Sequence, residues 1–539
     1  MLRFVVFNED SPASDFTLRH AHLIGKDDLG VPGTISFSEG VITCEKATND
    51  EASLALQVDA GTCGMLTLRT CLLPHRERPY LLELELARHR IMLFLNKMEE
   101  WGLSYISNDD PIVIAFEEAR TAFTESLVAR DPSGEYTPQQ AASAKVALCK
   151  AIEASEGLAR LCAQRQLTYR LDPPEDTKPI AAPRLGILVP TEQFAEPLRK
   201  IVAGTFDFMV STMRWKEIER EEGRYSFVET DRWIEWAVRQ GRIPVVGGPI
   251  LDFSPACIPE WMGVWGQDYQ SVREFAYEHA KRVVTRYRRT VNRWVAVSGL
   301  NLNRGFSFSV DQMIELTRLS VLIVRKLHPS AKVVVEVTEP WGEHVSANPE
   351  SLSPLLYAEL ALESGMQIDA LGLRLQLGDR SPGRSMRDLC QLSALLDDYA
   401  AFERPIDVTA VGVPSAPVPE NNSDDEHDCE PGWWRSPWSP IQQAEWMTEA
   451  LTIITSKPYI RSVAWQALFD ASRSPEMPYG GLITTEGRAK PGLRRLAEIR
   501  DAVRQKKVPT VALGEIVSNN TDLAAAAAQA AESEPPPTA

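Results

Sequence analysis

No run of the 539-residue chain approaches the roughly 18 consecutive apolar residues of a membrane-spanning helix, so no membrane partner is expected. The opening MLRFVVFNEDSP interrupts a short apolar run with acidic residues. A secretory signal would extend that run to a small-residue cleavage site, so a cytoplasmic location is expected. The eight cysteines (Cys44, Cys63, Cys71, Cys149, Cys162, Cys257, Cys390, Cys429) form no CxxC pair and stand at no ligand spacing from a histidine. This points away from a thiolate metal centre, and free, mostly buried thiols in a reducing compartment are expected. His344 beside Glu343 has no second histidine at ligand spacing, and no metal or other cofactor is expected. Positive charge is also short: 57 Lys and Arg against 74 Asp and Glu give a net charge of -17. That balance argues against nucleic acid as the main partner.

What the chain does contain is a series of short β-rich runs, each followed by a longer amphipathic segment. The runs are LGILV (185–189), FDFMV (206–210), IPVVG (243–247), VNRWVAVSGLN (291–301), KVVVEV (332–337), IDALGLRL (368–375), PIDVTAVGV (405–413) and SVAWQAL (462–468). Eight such units over about 320 residues is the count of a (β/α)8 TIM barrel. Active sites of that fold lie at the carboxyl ends of the strands, which draws attention to Ser298, Gly299 and Asn301.

Before the barrel, residues 1–88 alternate strand-like runs with Gly, Asp and Asn turns and predict a small β-sandwich-like domain. Such a unit serves as a glycan-binding appendage or as a module for a protein partner. Residues 89–171 switch to a helical pattern, the last helix opening at Thr137 as N-cap with Pro138 in its first turn. Its stripe Ala141, Ala144, Leu148 and Ile152 is a packing face. The Pro-rich stretch 172–183 is a linker, 184–505 is the barrel, and the alanine- and proline-rich tail 506–539 is expected to be disordered. The acidic run 421–430 is expected to be an exposed loop.

With the strands placed, the loops resemble those of glycoside hydrolase family 10, the endo-β-1,4-xylanase family, over about residues 184–500. Met213, Arg214, Trp215, then Ile218 and Glu219, then Gly223, Tyr225, Phe227 and Asp231 are similar to the family's NEMKW segment and its continuation. Pro259 with Trp261 resembles its P-x-W, Ile368, Asp369 and Gly372 its IDGIG, and Trp465 with Asp470 its last-strand motif. The resemblance implies a barrel that holds a β-linked glycan. It also implies where a general acid/base and a nucleophile would stand, and at those two positions this chain has Gly299 and Ala410. Retaining hydrolysis needs two carboxyls about 5 Å apart, so loss of ordinary hydrolysis is expected. The substrate-binding His and Trp after the third strand and the Q-x-H of the sixth are also replaced, the latter by Arg374, Leu375 and Gln376.

Three readings follow. The barrel binds a glycan without cleaving it, through Trp215, Arg214, Ser298, Asn301, Trp341, Arg374, Gln376, Thr409 and Trp465. Alternatively, it cleaves with relocated carboxylates, for which Glu339, Glu343 and Asp252 are the candidates. Or it is a non-catalytic scaffold whose N-terminal region docks a protein. Twelve of the 13 tryptophans lie beyond residue 200, and indoles stack well on the apolar faces of sugar rings. Three of them crowd the loop GWWRSPW (432–438), which is expected to expose indole surface.

Overall fold

The alternation of β-rich runs and amphipathic helices folds as a closed ring. The computed structural model describes residues 1–509 apart from 9–10, 47, 130–133, 190, 192, 382, 419–430 and 471–476. The acidic run 421–430 and all of the tail beyond 509 therefore lie outside the described residues. The barrel strands are β1 (Arg184–Val189), β2 (Phe208–Ser211), β3 (Val245–Gly247), β4 (Arg293–Ser298), β5 (Lys332–Val337), β6 (Ala370–Gln376), β7 (Ile406–Gly412) and β8 (Ile460–Trp465). All pair in parallel, β8 with β1 and β3 with β4, so the sheet has no free edge. A two-residue continuation of β3, Leu251–Asp252, pairs with the end of β4.

The helices between strands obey the same local rules throughout, and Val310–Leu327 is representative. Ser309 and Gln312 close its first turn as a capping box. Met313, Leu316, Thr317, Ser320, Val321 and Val324 then recur at three- and four-residue spacing on one buried face.

The inside of the ring is filled in tiers, as side chains alternate across each strand. At the amino-terminal end of the strands Arg293 reaches across to Ser462 (3.0 Å) and Asp407 (3.6 Å). The middle is apolar: Leu188, Phe208, Val210, Val246, Val295, Val334, Ala370 and Ala464 form one cluster. Gly186 is required there, because a Cβ would come within 2.4 Å of the Phe208 ring. The carboxyl-terminal tier is polar and holds the candidate site.

Two sheets precede the barrel, one of Leu2–Val5, Gly33–Ser38, Val41–Lys46 and Tyr80–Leu81, the other of His22–Ile24, Gly30–Val31, Ser53–Asp59 and Gly64–Arg69. Three helices follow, Leu82–Glu100, Pro111–Val128 and Pro138–Leu171. The first begins earlier than the period-two pattern of YLLELEL suggests. Leu82 and Leu86 share one helix face at i, i+4, and the Leu, Glu and Ala that follow favour helix over strand.

These units are not appended to the barrel as separate bodies. Trp433–Trp434, from the loop after β7, adds an antiparallel strand to the N-terminal sheet beside Gly64–Arg69. The indole N–H of Trp434 donates to Glu156 Oε1 (2.7 Å), as does the backbone N–H of Leu389 (3.3 Å), while Arg160 (2.8 Å) and Arg435 (3.2 Å) donate to Oε2. The GWWRSPW loop thus departs from its expected role: Trp434 and Trp438 are buried, the latter bonded to Gly432 O at 2.9 Å. Glu156→Ala would leave two buried N–H groups without an acceptor, and we expect it to destabilise the chain by about 2–4 kcal/mol. Urea unfolding checks this, with Glu156→Gln showing a smaller loss.

Candidate functional site

β4 carries a register shift between Val295 and Val297, after which Ser298 faces its neighbours at the barrel mouth. Ser298 Oγ donates to Glu336 Oε1 at 2.5 Å. Arg374, from β6, inserts between the carboxylates: its Nη2 lies 2.7 Å from Glu336 Oε1, 3.3 Å from Asp252 Oδ2 and 3.3 Å from Ser298 Oγ. Asp252, Ser298 and Glu336 are buried. Asp252 also accepts from the Ser254 backbone N–H at 3.0 Å.

Burial alone would raise the Asp252 carboxyl, but Arg374 and the donors on Ser254 and Cys257 outweigh it and hold it below the usual carboxylate range. Burial drives the Cys257 thiol upward, and the adjacent Asp252 adds to that. Burial would weaken the Arg374 charge, and Glu336 with Asp252 more than restores it.

Gly299 follows Ser298 with φ +75°, and a Cβ there would lie 2.9 Å from Ser254 N and 3.2 Å from Asp252 Oδ1. Ala410 is the register partner of Arg374 across the β6–β7 pair, past an irregularity at Thr409. The two positions thus flank the same arginine at one end of the barrel. Thr409 itself donates to Leu373 O (3.1 Å). Gln376 Nε2 donates to Gln466 Oε1 at 2.7 Å. Gln376 Oε1, Arg374 Nε and Ser211 Oγ are buried without a partner.

Other residues named from the sequence lie away from this cluster or are already engaged. Trp465 sits on the outer face of β8, 1% exposed, its N–H bonded to Gly480 O at 3.0 Å. Alternation along β8 turns Ser462, Ala464 and Gln466 inward, so Gln466, which sequence reading passed over, takes the inner position expected for Trp465. Trp215 is also 1% exposed, stacked on His279 with ring centroids 4.7 Å apart and bonded to Glu219 at 2.7 Å. Neither indole presents a face to a ligand. Asn301 ties the end of β4 to the end of β5, donating to Thr338 O (2.8 Å) and accepting from Thr338 Oγ1 (3.0 Å). Arg214 pairs with Glu217 at 2.7 Å.

Glu339 and Glu343 are not free at the barrel mouth. Glu339 is paired with Arg304 (2.9 Å to Nη2) and lies 3.6 Å from His344. Glu343 accepts from Ser385 Oγ at 2.5 Å and is ion-paired with Arg387. Burial pulls its carboxyl upward, yet Arg387, His20 and His22 hold it well below the usual range. The N-terminal sheet covers this loop, with Ser346 Oγ bonded to Leu23 O (3.2 Å) and Val31 O (3.1 Å). Among the described residues no group of three or more His, Cys, Asp or Glu could hold a metal ion, and no helix is long and apolar enough to cross a membrane.

Two substitutions test this arrangement. Gly299→Ala puts a Cβ at positive φ against Ser254 and should destabilise by about 1–3 kcal/mol in thermal or urea unfolding. In the wild-type chain the lowered Asp252 carboxyl stabilises the fold above its ordinary value of 3.8, and that contribution is lost as pH falls through the lower folded value. Arg374→Met removes the cation and leaves burial to raise the carboxyl, so the contribution reverses sign and grows as pH rises. We expect a loss of about 3–5 kcal/mol at pH 7 and a smaller one at pH 4; equal losses would reduce Arg374 to packing.

Residues 182–304 match the sequence model of Glycosyl hydrolase family 10. Among solved structures, xylanase 10B from Thermotoga maritima is similar at 15% identity, covering 64% of this chain and 99% of that one, with a TM-score of 0.45. Xylanase 10B from Thermotoga petrophila RKU-1, in complex with xylobiose, matches at 16% identity over 64% and 97%, TM-score 0.43. Xylanase B from Clostridium stercorarium F9 matches at 14% over 59% and 97%, TM-score 0.44. The family model matches the segment that carries β1 to β4 of this eight-stranded parallel barrel, which lies within the stretch whose loops resemble that family in sequence.

Proposed function

We propose that the barrel mouth binds a β-linked glycan without hydrolysing it. The observation that carries this reading is the arginine-bridged cluster: Arg374 occupies the space between Asp252 and Glu336, flanked by Gly299 and Ala410. The Asp252 and Glu336 oxygens are no further apart than the sum of their distances to Arg374 Nη2, a spacing at which two carboxyls can cooperate in glycosyl transfer. A guanidinium bonded to both leaves no room for an anomeric carbon between them. Glu339 and Glu343 are each committed to an arginine, which weighs against relocated acid/base chemistry.

Binding draws support from the partnerless polar atoms of Ser211, Arg374 and Gln376 at the ends of β2 and β6. Sugar hydroxyls both donate and accept, the complement of these donor and acceptor atoms. Each such bond exchanges for water at a net gain of about 1 kcal/mol, so dissociation constants from tens of micromolar to millimolar are expected. Titration calorimetry with xylo- and cello-oligosaccharides tests this. Gln376→Ala should weaken binding about fivefold, the equivalent of one such bond. No heat from any of them, or cleavage of xylan at roughly 1–1000 per second, would overturn the reading.

A further inference from the structure

Trp341 lines a different cavity, formed where the N-terminal sheet meets the barrel. With Pro340, Pro354, Leu355 and Leu395 it makes one wall; Ile24, Leu68 and Leu93 contribute from the N-terminal side. The cavity has a volume of about 110 Å³, less than that of drug-sized ligand sites and enough for one small ring. Among the polar lining groups, Asp28 and Asp398 are exposed at the rim. Arg69 is paired with Asp28 and donates through Nε to His89 Nε2 at 3.0 Å. Gln391 Nε2 donates to Thr67 O at 3.1 Å. The Arg387 guanidinium stands 5.6 Å from the Trp341 ring centroid, and its Nη1, like Thr67 Oγ1, is buried without a partner.

We propose that this cavity binds a neutral pyranose, as a second carbohydrate site distinct from the barrel mouth. Arg69 is paired with Asp28 and Arg387 with Glu343, so neither guanidinium offers a free charge and an anionic ligand gains nothing over water. The polar lining holds both acceptors, in Asp28 and Asp398, and partnerless donors, in Arg387 Nη1 and Thr67 Oγ1, which suits groups that do both, and hydroxyls are the commonest of these. The apolar wall asks for one non-polar ring face, which a pyranose presents and an indole covers.

Saturation-transfer NMR on the full chain with methyl β-xylopyranoside and methyl β-glucopyranoside tests the proposal. Trp341→Ala, and Ala394→Trp, which fills the cavity from the helix Leu389–Ala400, should each lower the transfer at least fivefold. Asp398→Asn, at the exposed rim and harmless to packing, should lower it two- to fivefold, and melting curves confirm that each variant folds. Loss of the signal in Gln376→Ala with retention in Trp341→Ala would assign all binding to the barrel mouth and overturn the proposal. So would the absence of transfer to either glycoside, or transfer that survives Trp341→Ala and Asp398→Asn in folded protein.

Discussion

A half-buried guanidinium held between two buried carboxylates governs the carboxyl-terminal end of this barrel's strands. Taking three charges out of water carries a desolvation penalty of several kcal/mol per ion, and only close pairing repays it. Arg374 meets that requirement with one nitrogen facing Glu336, Asp252 and Ser298 together. Removing any one member strands the others, so the cluster is held in place by the cost of breaking it. The proposed loss of hydrolysis rests on the same pairing, because carboxylate oxygens already engaged by a cation and a hydroxyl are poorly placed to attack a sugar or protonate a leaving group.

Backbone geometry delivers those side chains. Alternation along β8 sends Gln466 inward and Trp465 outward, while irregular register at Val295–Val297 in β4 and at Thr409 in β7 resets which residues face the centre. The left-handed turn at Gly299 then carries the chain close against Ser254. A longer residue at that position would collide with the backbone that cradles Asp252, so the glycine at 299 and the Asp252–Arg374 pair belong to one local arrangement.

Much of the fold was legible in the sequence. KVVVEV is strand β5 residue for residue, and the last helix runs from Pro491 to Arg504, because a buried parallel strand and an amphipathic helix with proline in its first turn each carry a strong local signature. The site was less legible. Ser298, Arg374 and Gln376 are where the strand ends suggested, but Trp465 falls on the outer face of β8 and Trp215 opens a helical turn packed on His279, and composition fixes neither placement. The fate of Trp341, Trp434, Glu339 and Glu343 was out of reach for another reason. Trp341, Trp434 and Glu343 meet the N-terminal units through contacts hundreds of residues apart in the chain, and Glu339 is tied to Arg304 from the loop after β4.

The most direct test of the barrel's chemistry is the intact mass of the protein after incubation with an activated 2-fluoro-xylobioside, which traps the covalent intermediate of a retaining glycosidase. The arginine-bridged centre predicts no change in mass. A gain of one fluorinated disaccharide unit, mapping to Asp252, Glu336, Glu339 or Glu343, would show a working nucleophile and contradict the account.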